Sequence, residues 1–368
     1  MTEGLPPRIV TVADVAAAAR VSKAAAARAL AGYGSVSAAV KVRVLEAARA
    51  LDYRPNELAR TMATGRSGTI GVVVGDIENP FFGLAVRGLS DRAHELGFNV
   101  ILANSGERAA AERAATRVLA AKRVDGLVVA PAAMDRADHL ADLVGRGCPL
   151  VLLDRDIPGL AVDASLVDTR SAAGEATALL LGAGHRRLAY VTATEAAEAR
   201  YRGPEQVAIS TVLDRIEGFV GALQAAGIED PEVGIRLGAT DDARAAHILD
   251  TLLSGPDRVT AILASDSKIA LHVFRAARRL GLSLPNELSL ISFDDADWAS
   301  AITPAVTVVA QPAYELGVQA AQLLADRIAG HSGPPRRRRL DTTLIRRESV
   351  APPAGTEGKV APRRADGN

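Results

Sequence analysis

Two groups of residues in this chain have the type and spacing for chemistry. The first opens a short alanine-rich segment near the N terminus: Ser22, Lys23, Ala24 and Arg28. Ser22 is placed to cap a helix, its hydroxyl taking a backbone N–H that the first turn leaves unpaired. Ala26, Ala29 and Leu30 then form the buried side of that helix, and Lys23, Ala24 and Arg28 face outward. The second group stands at the ends of apolar runs: Asp154 in L-L-D-R and Asp294 in I-S-F-D-D, carboxylates able to accept hydrogen bonds from hydroxyls or amines. Catalytic groupings are not among the motifs. The histidines at 94, 139, 185, 247, 272 and 331 are scattered without metal-ligand spacing, and neither a P-loop nor G-x-S-x-G occurs. The single Cys148 allows no internal disulfide and no multi-cysteine zinc site. No catalytic residue, metal or cofactor is expected.

The elements that must hold these residues follow from periodicity. Val12, Val15, Ala16 and Ala19 recur at helical spacing ahead of Arg20-Val21, so a helix, a turn and a second helix are predicted over 12–30. Ser37 caps a third helix over 38–51, with Val40, Val44, Leu45, Ala48 and Leu51 closing a small core. A helix, a short turn and a second helix with a basic outer face suit the major groove. Residues 56–64 predict one more short helix, begun at Pro55-Asn56 and stopped at Gly65, of a length that is marginal alone in water. From Thr69 onward apolar strands alternate with helices. Strands are predicted at 70–74, 100–103, 126–129, 150–153, 188–191, 261–264 and 288–293. Near-continuous apolar strands imply parallel sheets covered on both faces, and their number implies two α/β lobes. Ligands in such folds collect at strand carboxyl ends.

The chain has 368 residues, 48% of them hydrophobic and 3% aromatic, so aliphatic and small side chains must fill more than one core. The sequence shows neither a secretory leader nor an apolar run long enough to span a bilayer, which predicts a cytoplasmic protein. Net charge is zero, yet it is unevenly spread. Residues 1–67 carry ten Lys/Arg against five Asp/Glu, a net +5 that leaves −5 for the rest. A basic head on an acidic body suits DNA held at one end.

The order D-V-A, V-S, S-A-A-V-K-V-R-V-L, Y-R-P-N and L-A-R-x-M-x-T-G-R-S, followed by T-I-G-V-V-V and N-P-F-F, resembles the lac-repressor (LacI/GalR) family of bacterial transcription regulators. The likeness runs over residues 9–350. It implies an α/β protein with an N-terminal all-α helix-turn-helix head over 9–54 and a hinge helix and linker over 55–67. These join a two-lobed, periplasmic-binding-protein-like body for effector binding and dimerisation over 68–350, and a disordered tail follows at 351–368. The implied function is a sequence-specific repressor that binds a near-palindromic operator as a homodimer. A small-molecule effector, a sugar by default, would control it. In the family pattern Lys23 and Ala24 read bases and Arg28 is the recognition-helix arginine. Ser22, Lys41, Tyr53 and Asn56 would hold phosphates, and Met62 would enter the minor groove as an apolar wedge. In the cleft Asp154, Arg215, Ser265, Asp266 and Asp294 would contact effector, with Phe81 and Phe82 as an apolar wall.

The chain also departs from the family. Arg20 stands where glycine is usual, in a turn residue that needs positive φ. Ala25, Ala26 and Ala27 replace Thr, Val and Ser, so two hydroxyls that could meet phosphate are lost. Either affinity is reduced or another group such as Arg20 substitutes. The aromatic that often stacks on ligand is missing from residues 237–241, and 196–209 departs from the usual pattern beside the pocket. Three other readings stand beside repression: an activator or corepressor-dependent regulator of the same build, a solute-binding protein, and an enzyme on an α/β scaffold. The basic head and the want of a leader or catalytic constellation weigh against the last two.

Overall fold

The computed structural model describes residues 10–31, 35–53 and 65–354. It divides the chain into two compact units, Met1–Gly68 and Thr69–Asn368. The hinge helix expected at 56–64, with Asn56 and Met62, lies outside the described residues.

In the first unit α1 (Val12–Ala18), α2 (Lys23–Ala31) and α3 (Ala38–Ala50) enclose a core of small side chains. Val15, Ala16, Ala19, Ala26, Ala29, Val44 and Ala48 are buried. Alanine at five of these seven places lets three short helices approach closely, which explains how so little aromatic surface suffices. Thr11 and Asp14 close a reciprocal capping box at the start of α1. Ser37 caps α3 through the Val40 N–H at 3.4 Å. Leu45, expected in this core, is instead 38% exposed. The buried stripe runs through Val44, Ala48 and Leu51, and one residue's step of about 100° carries Leu45 off it.

The second unit holds two six-stranded sheets. The first contains β1 (Thr69–Val74), β2 (Asn99–Asn104), β3 (Gly126–Val129), β4 (Leu150–Asp154), β5 (Asp163–Val167) and β11 (Arg337–Leu340), in the order β11-β5-β4-β3-β1-β2. The second contains β6 (Leu188–Val191), β7 (Ile235–Arg236), β8 (Ala261–Ala264), β9 (Ser289–Phe293), β10 (Thr307–Ala310) and β12 (Thr343–Ile345), in the order β12-β10-β9-β8-β6-β7. All neighbouring strands run parallel except β12 against β10. The helices are α4 (Pro80–Glu95), α5 (Ala109–Ala121), α6 (Asp138–Gly145), α7 (Thr169–Gly182) and α8 (Ser210–Ala225), then α9 (Asp242–Leu253), α10 (Ser267–Leu280), α11 (Asp297–Ala301) and α12 (Ala313–Ile328). They cover both faces of both sheets, as parallel strands require. Helices α4 and α12 pack together on the first sheet. A Cβ added to Gly88 of α4 would strike the Tyr314 carbonyl, and one added to Gly317 of α12 would strike that of Ala85, so glycine sets how closely the two helices approach.

The chain passes between the lobes three times: from β5 into α7, from β10 through Gln311-Pro312 into α12, and from β11 into β12. The crossing strands β5, β10, β11 and β12 were not among the sequence-predicted ones. Strand β11 reads Arg337-Arg338-Arg339-Leu340, an exposed edge with no apolar run to mark it. The disordered tail expected from 351 does not hold at its start, where Ala351 is fixed: its N–H donates to Ser289 Oγ at 3.1 Å, and its carbonyl accepts from the same hydroxyl; residues 355–368 lie outside the described residues.

Candidate functional site

In the head unit the turn between α1 and α2 is held by two backbone bonds, Arg20 N–H to Ala17 carbonyl (3.2 Å) and Val21 N–H to Ala16 carbonyl (3.0 Å). Arg20 takes φ 52°, the positive value expected of that turn position. Ser22 Oγ accepts from the Ala25 N–H at 3.1 Å, so Ser22 does cap α2. Ala26 and Ala29 face the core, whereas Lys23, Ala24 and Arg28 are exposed, the two-sided helix the sequence implied. Lys41 is exposed on the first turn of α3. The Tyr53 N–H donates to the Ala48 carbonyl (2.8 Å), and its ring is half-buried against the head core.

In the body unit, strand ends bring the second group together. Asp154 closes β4 and Asp294 follows β9, at φ 66° and φ 69°. Left-handed backbone is disfavoured for residues with a Cβ and recurs where a site demands a particular aim. Ser265 and Asp266 follow β8, at the point where strand order reverses between β6 and β8. Arg215 projects from the second turn of α8.

Arg215 and Asp294 are joined through Gln311. Arg215 Nη1 donates to the Ser265 carbonyl at 2.8 Å, and Nη2 donates to Gln311 Oε1 at 3.3 Å. Gln311 Nε2 donates to Asp294 Oδ1 at 2.6 Å. The Arg215 guanidinium lies 4.2 Å from the centroid of the Phe293 ring, a cation–π contact that fixes its plane. Burial pushes the Asp294 carboxyl up to about 7; Arg215 and Gln311 oppose this, and Asp266 and Asp154 add to it. Burial likewise raises Asp154, against the pull of Arg155 and Arg215. Asp154 Oδ1 and Arg215 Nε are buried without a hydrogen-bond partner. Buried polar atoms are nearly always satisfied, by protein, ligand or water, so these two leave hydrogen-bonding capacity that a polar ligand or water can take up.

Other expected contacts have structural duties. Asp266 Oδ1 caps α10, accepting from the Lys268 and Ile269 N–H groups at 2.9 and 3.0 Å, and Oδ2 accepts from Ser265 Oγ at 2.8 Å. Phe81 and Phe82 are 7% and 2% exposed, packed edge to face within the first lobe's core. The Arg155 guanidinium lies 5.4 Å from the Phe82 ring centroid and makes a two-pronged bond with Glu107 at 2.5 and 2.7 Å. The aromatic wall expected from these two residues is therefore taken up by lobe packing.

Gln311, Arg155 and Glu107 were not singled out in the sequence. For Gln311 the available signal was a polar residue ending an apolar run, V-V-A-Q-P, as Asp154 and Asp294 do. Four bonds among the described residues also join the lobes near these strand ends, one of them Lys268 Nζ to Glu78 Oε2 at 3.5 Å. The other three are Met134 N–H to Ala208 carbonyl (2.8 Å), Asp156 N–H to Ser210 Oγ (2.8 Å) and Lys268 Nζ to Asp76 Oδ2 (2.7 Å).

Comparison with known proteins adds to this geometry. A family model described as bacterial regulatory proteins, lacI family, matches residues 11–56, and one for a periplasmic binding protein-like domain matches residues 177–350. The HTH-type transcriptional repressor CytR of Escherichia coli is 31% identical over 341 residues, 92% of this chain and 96% of the relative. Among solved structures, a complex of the transcriptional regulator CelR with cellobiose superposes with a TM-score of 0.67 at 28% identity, covering 92% of this chain and 99% of that one. The lac repressor dimer bound to operator and the anti-inducer ONPF gives a TM-score of 0.78 at 23% identity, covering 94% and 100%, which is a likeness of fold. Among the described residues, no helix is long and apolar enough to cross a membrane and no cluster of side chains could hold a metal ion.

Proposed function

The chain belongs to the lacI family of bacterial regulatory proteins, and from that premise we propose how this DNA-binding transcription regulator works. It represses by holding a near-palindromic operator with two heads, one per half-site, and releases it when a polyhydroxyl effector, sugar-like in chemistry, fills the body cleft. Lys23 and Ala24 read base edges from the exposed start of α2, and Arg28 follows one turn on. Ser22, Lys41, Tyr53 and Asn56 set the register through phosphates. The Ser22 hydroxyl can do so because its oxygen accepts from Ala25 while its O–H remains free to donate. Met62 is the apolar wedge for the minor groove. This reading assigns the chain no catalytic role, in line with relatives that are regulators.

The observation that carries the effector reading is the chain of contacts Asp294–Gln311–Arg215, with Asp154 of the first lobe within electrostatic reach of Arg215. Two carboxylates accept from hydroxyls and a guanidinium donates to a ring or hydroxyl oxygen, the mixture a sugar needs. Gln311 lies on one of the three segments that cross between the lobes. A ligand bond that moves Gln311 therefore acts on the hinge directly. Contact with both lobes gives the effector a different affinity for each lobe arrangement, which is the condition for ligand to change DNA affinity.

Selection of bound duplexes from a random pool tests the DNA half. A near-palindrome should be enriched, and Lys23→Ala should relax preference at one base pair in each half-site by about 1–3 kcal/mol. Enrichment of no sequence would refute the assignment.

A further inference from the structure

We propose that Arg20 is a DNA-backbone contact of the head, its guanidinium supplying the phosphate bonds that Ala25, Ala26 and Ala27 cannot make. The inference rests on the DNA-binding reading above and adds to it a residue outside the recognition helix.

The turn after α1 has the bond pattern of a helix stop with a left-handed residue: Val21 N–H to Ala16 carbonyl and Arg20 N–H to Ala17 carbonyl. Glycine is the usual occupant because it has no Cβ to clash. The same pattern ends α4 at Gly97, α7 at Gly184 and α10 at Gly281. At Arg20 the head carries a long cationic side chain in a conformation that disfavours one. Strain alone assigns no role, since Arg123 occupies the same position after α5, far along the sequence from the head. Arg20 differs from Arg123 in its surroundings.

Arg20 is exposed, and it makes no side-chain hydrogen bond or ion pair among the described residues. It stands three residues before Lys23, on the turn that delivers the recognition helix. No Asp or Glu occurs anywhere in residues 15–45, while Arg20, Lys23, Arg28, Lys41 and Arg43 all fall within them. That stretch has no internal counter-charge, and DNA phosphate is the partner its chemistry fits. The neighbouring donors are few: Ala25 to Ala27 have no hydroxyl, which leaves the Ser22 O–H as the hydroxyl donor at this end of α2. A guanidinium offers five donors in a planar fork that fits phosphate oxygens two at a time.

The test compares three full-length variants, Arg20→Gly, Arg20→Lys and Arg123→Gly, on the duplex selected from the random pool and on an unrelated duplex of equal length. Glycine relieves the left-handed backbone at both positions, so both glycine variants should unfold at the wild-type temperature or above it. Arg20→Gly should nevertheless bind both duplexes about tenfold more weakly per head. Its plot of log affinity against log salt should be shallower by about one per head. Arg20→Lys should keep the wild-type slope, and Arg123→Gly should match wild type throughout. If Arg20→Gly equals wild type in affinity and slope, the proposal is wrong while the DNA-binding reading stands. If wild type itself binds no duplex, both fall.

Discussion

Replacing Asp294 by Asn removes one proton site from the middle of the cleft and leaves its shape nearly unchanged. In the fold burial pushes this carboxyl from 3.8 up to about 7. The unfolded chain ionises it at its ordinary value, so the folded state binds the proton more tightly. The stability this provides is complete below about pH 4 and is lost as pH rises toward 7. That rise in pKa sets a ceiling of about 4 kcal/mol, of which about 2–3 kcal/mol is lost between pH 5 and pH 8. Asparagine cannot ionise, and its side-chain oxygen can still accept from Gln311. The stability of Asp294→Asn relative to wild type should therefore rise by about 2–3 kcal/mol from pH 5 to pH 8. Urea unfolding reads this conveniently, because the single tryptophan, Trp298, lies in the body on α11. A stability gap that stays constant over this pH range would refute the claim that the site keeps Asp294 neutral. The same site gives a second readout: a ligand hydroxyl that donates to ionised Asp294 should bind about tenfold more tightly at pH 8 than at pH 6.

Two further perturbations follow from charges placed elsewhere in the body. Asp163 is fully buried, and its carboxylate accepts from Arg327 Nη2 and Arg336 Nη2, each at 2.6 Å. Burial works against its ionisation, but the two arginines outweigh that and hold the carboxyl below its ordinary range. Its contribution is thus present above the unfolded pKa and lost as pH falls through the lower folded one. Asp163→Asn removes the buried charge that both guanidiniums share, although Arg336 keeps Asp326 and Arg327 keeps three carbonyls; it should cost about 3 kcal/mol in urea unfolding at neutral pH, and a loss under about 1 would count against the bridge. Lys268→Glu sets a third carboxylate against Asp76 and Glu78 across the lobes. The pair is partly exposed, so stability should change by less than about 1 kcal/mol, while small-angle scattering shows a larger radius of gyration. An unchanged radius would mean that the pair does not hold the lobes together.

Why some of this was legible and some was not has physical reasons. The head could be read because its signals are local: Ser22 and Ser37 cap their helices through backbone groups three residues on. Arg20 could be flagged as a left-handed position because the family that the chain resembles usually has glycine there. Central strands such as β1, β3 and β8 announce themselves as apolar runs, since parallel strands are buried on both faces. Strands β5 and β11 do not, because their pairing depends on Asp163 meeting Arg327 and Arg336, more than 160 residues away. The cleft was half legible. Asp154, Arg215 and Asp294 were found as polar residues in a known order, but that Asp266 caps its own helix and that Phe82 packs under Arg155 follow only from three-dimensional contacts. Gln311 was missed because nothing local distinguishes a glutamine that joins two functional side chains from one on a surface.

The central claim is that one end of the chain grips DNA and the cleft tells it when to let go. The most direct measurement titrates the selected duplex with wild type and with Asp294→Asn, each with and without a metabolite shown to bind the body. The account predicts a change of about 5- to 150-fold in wild-type DNA affinity, with the duplex altering metabolite affinity by the same factor. It also predicts ligand-free DNA binding by Asp294→Asn equal to wild type, with the response to metabolite lost. A metabolite that binds the wild-type cleft and leaves DNA affinity unchanged would contradict it.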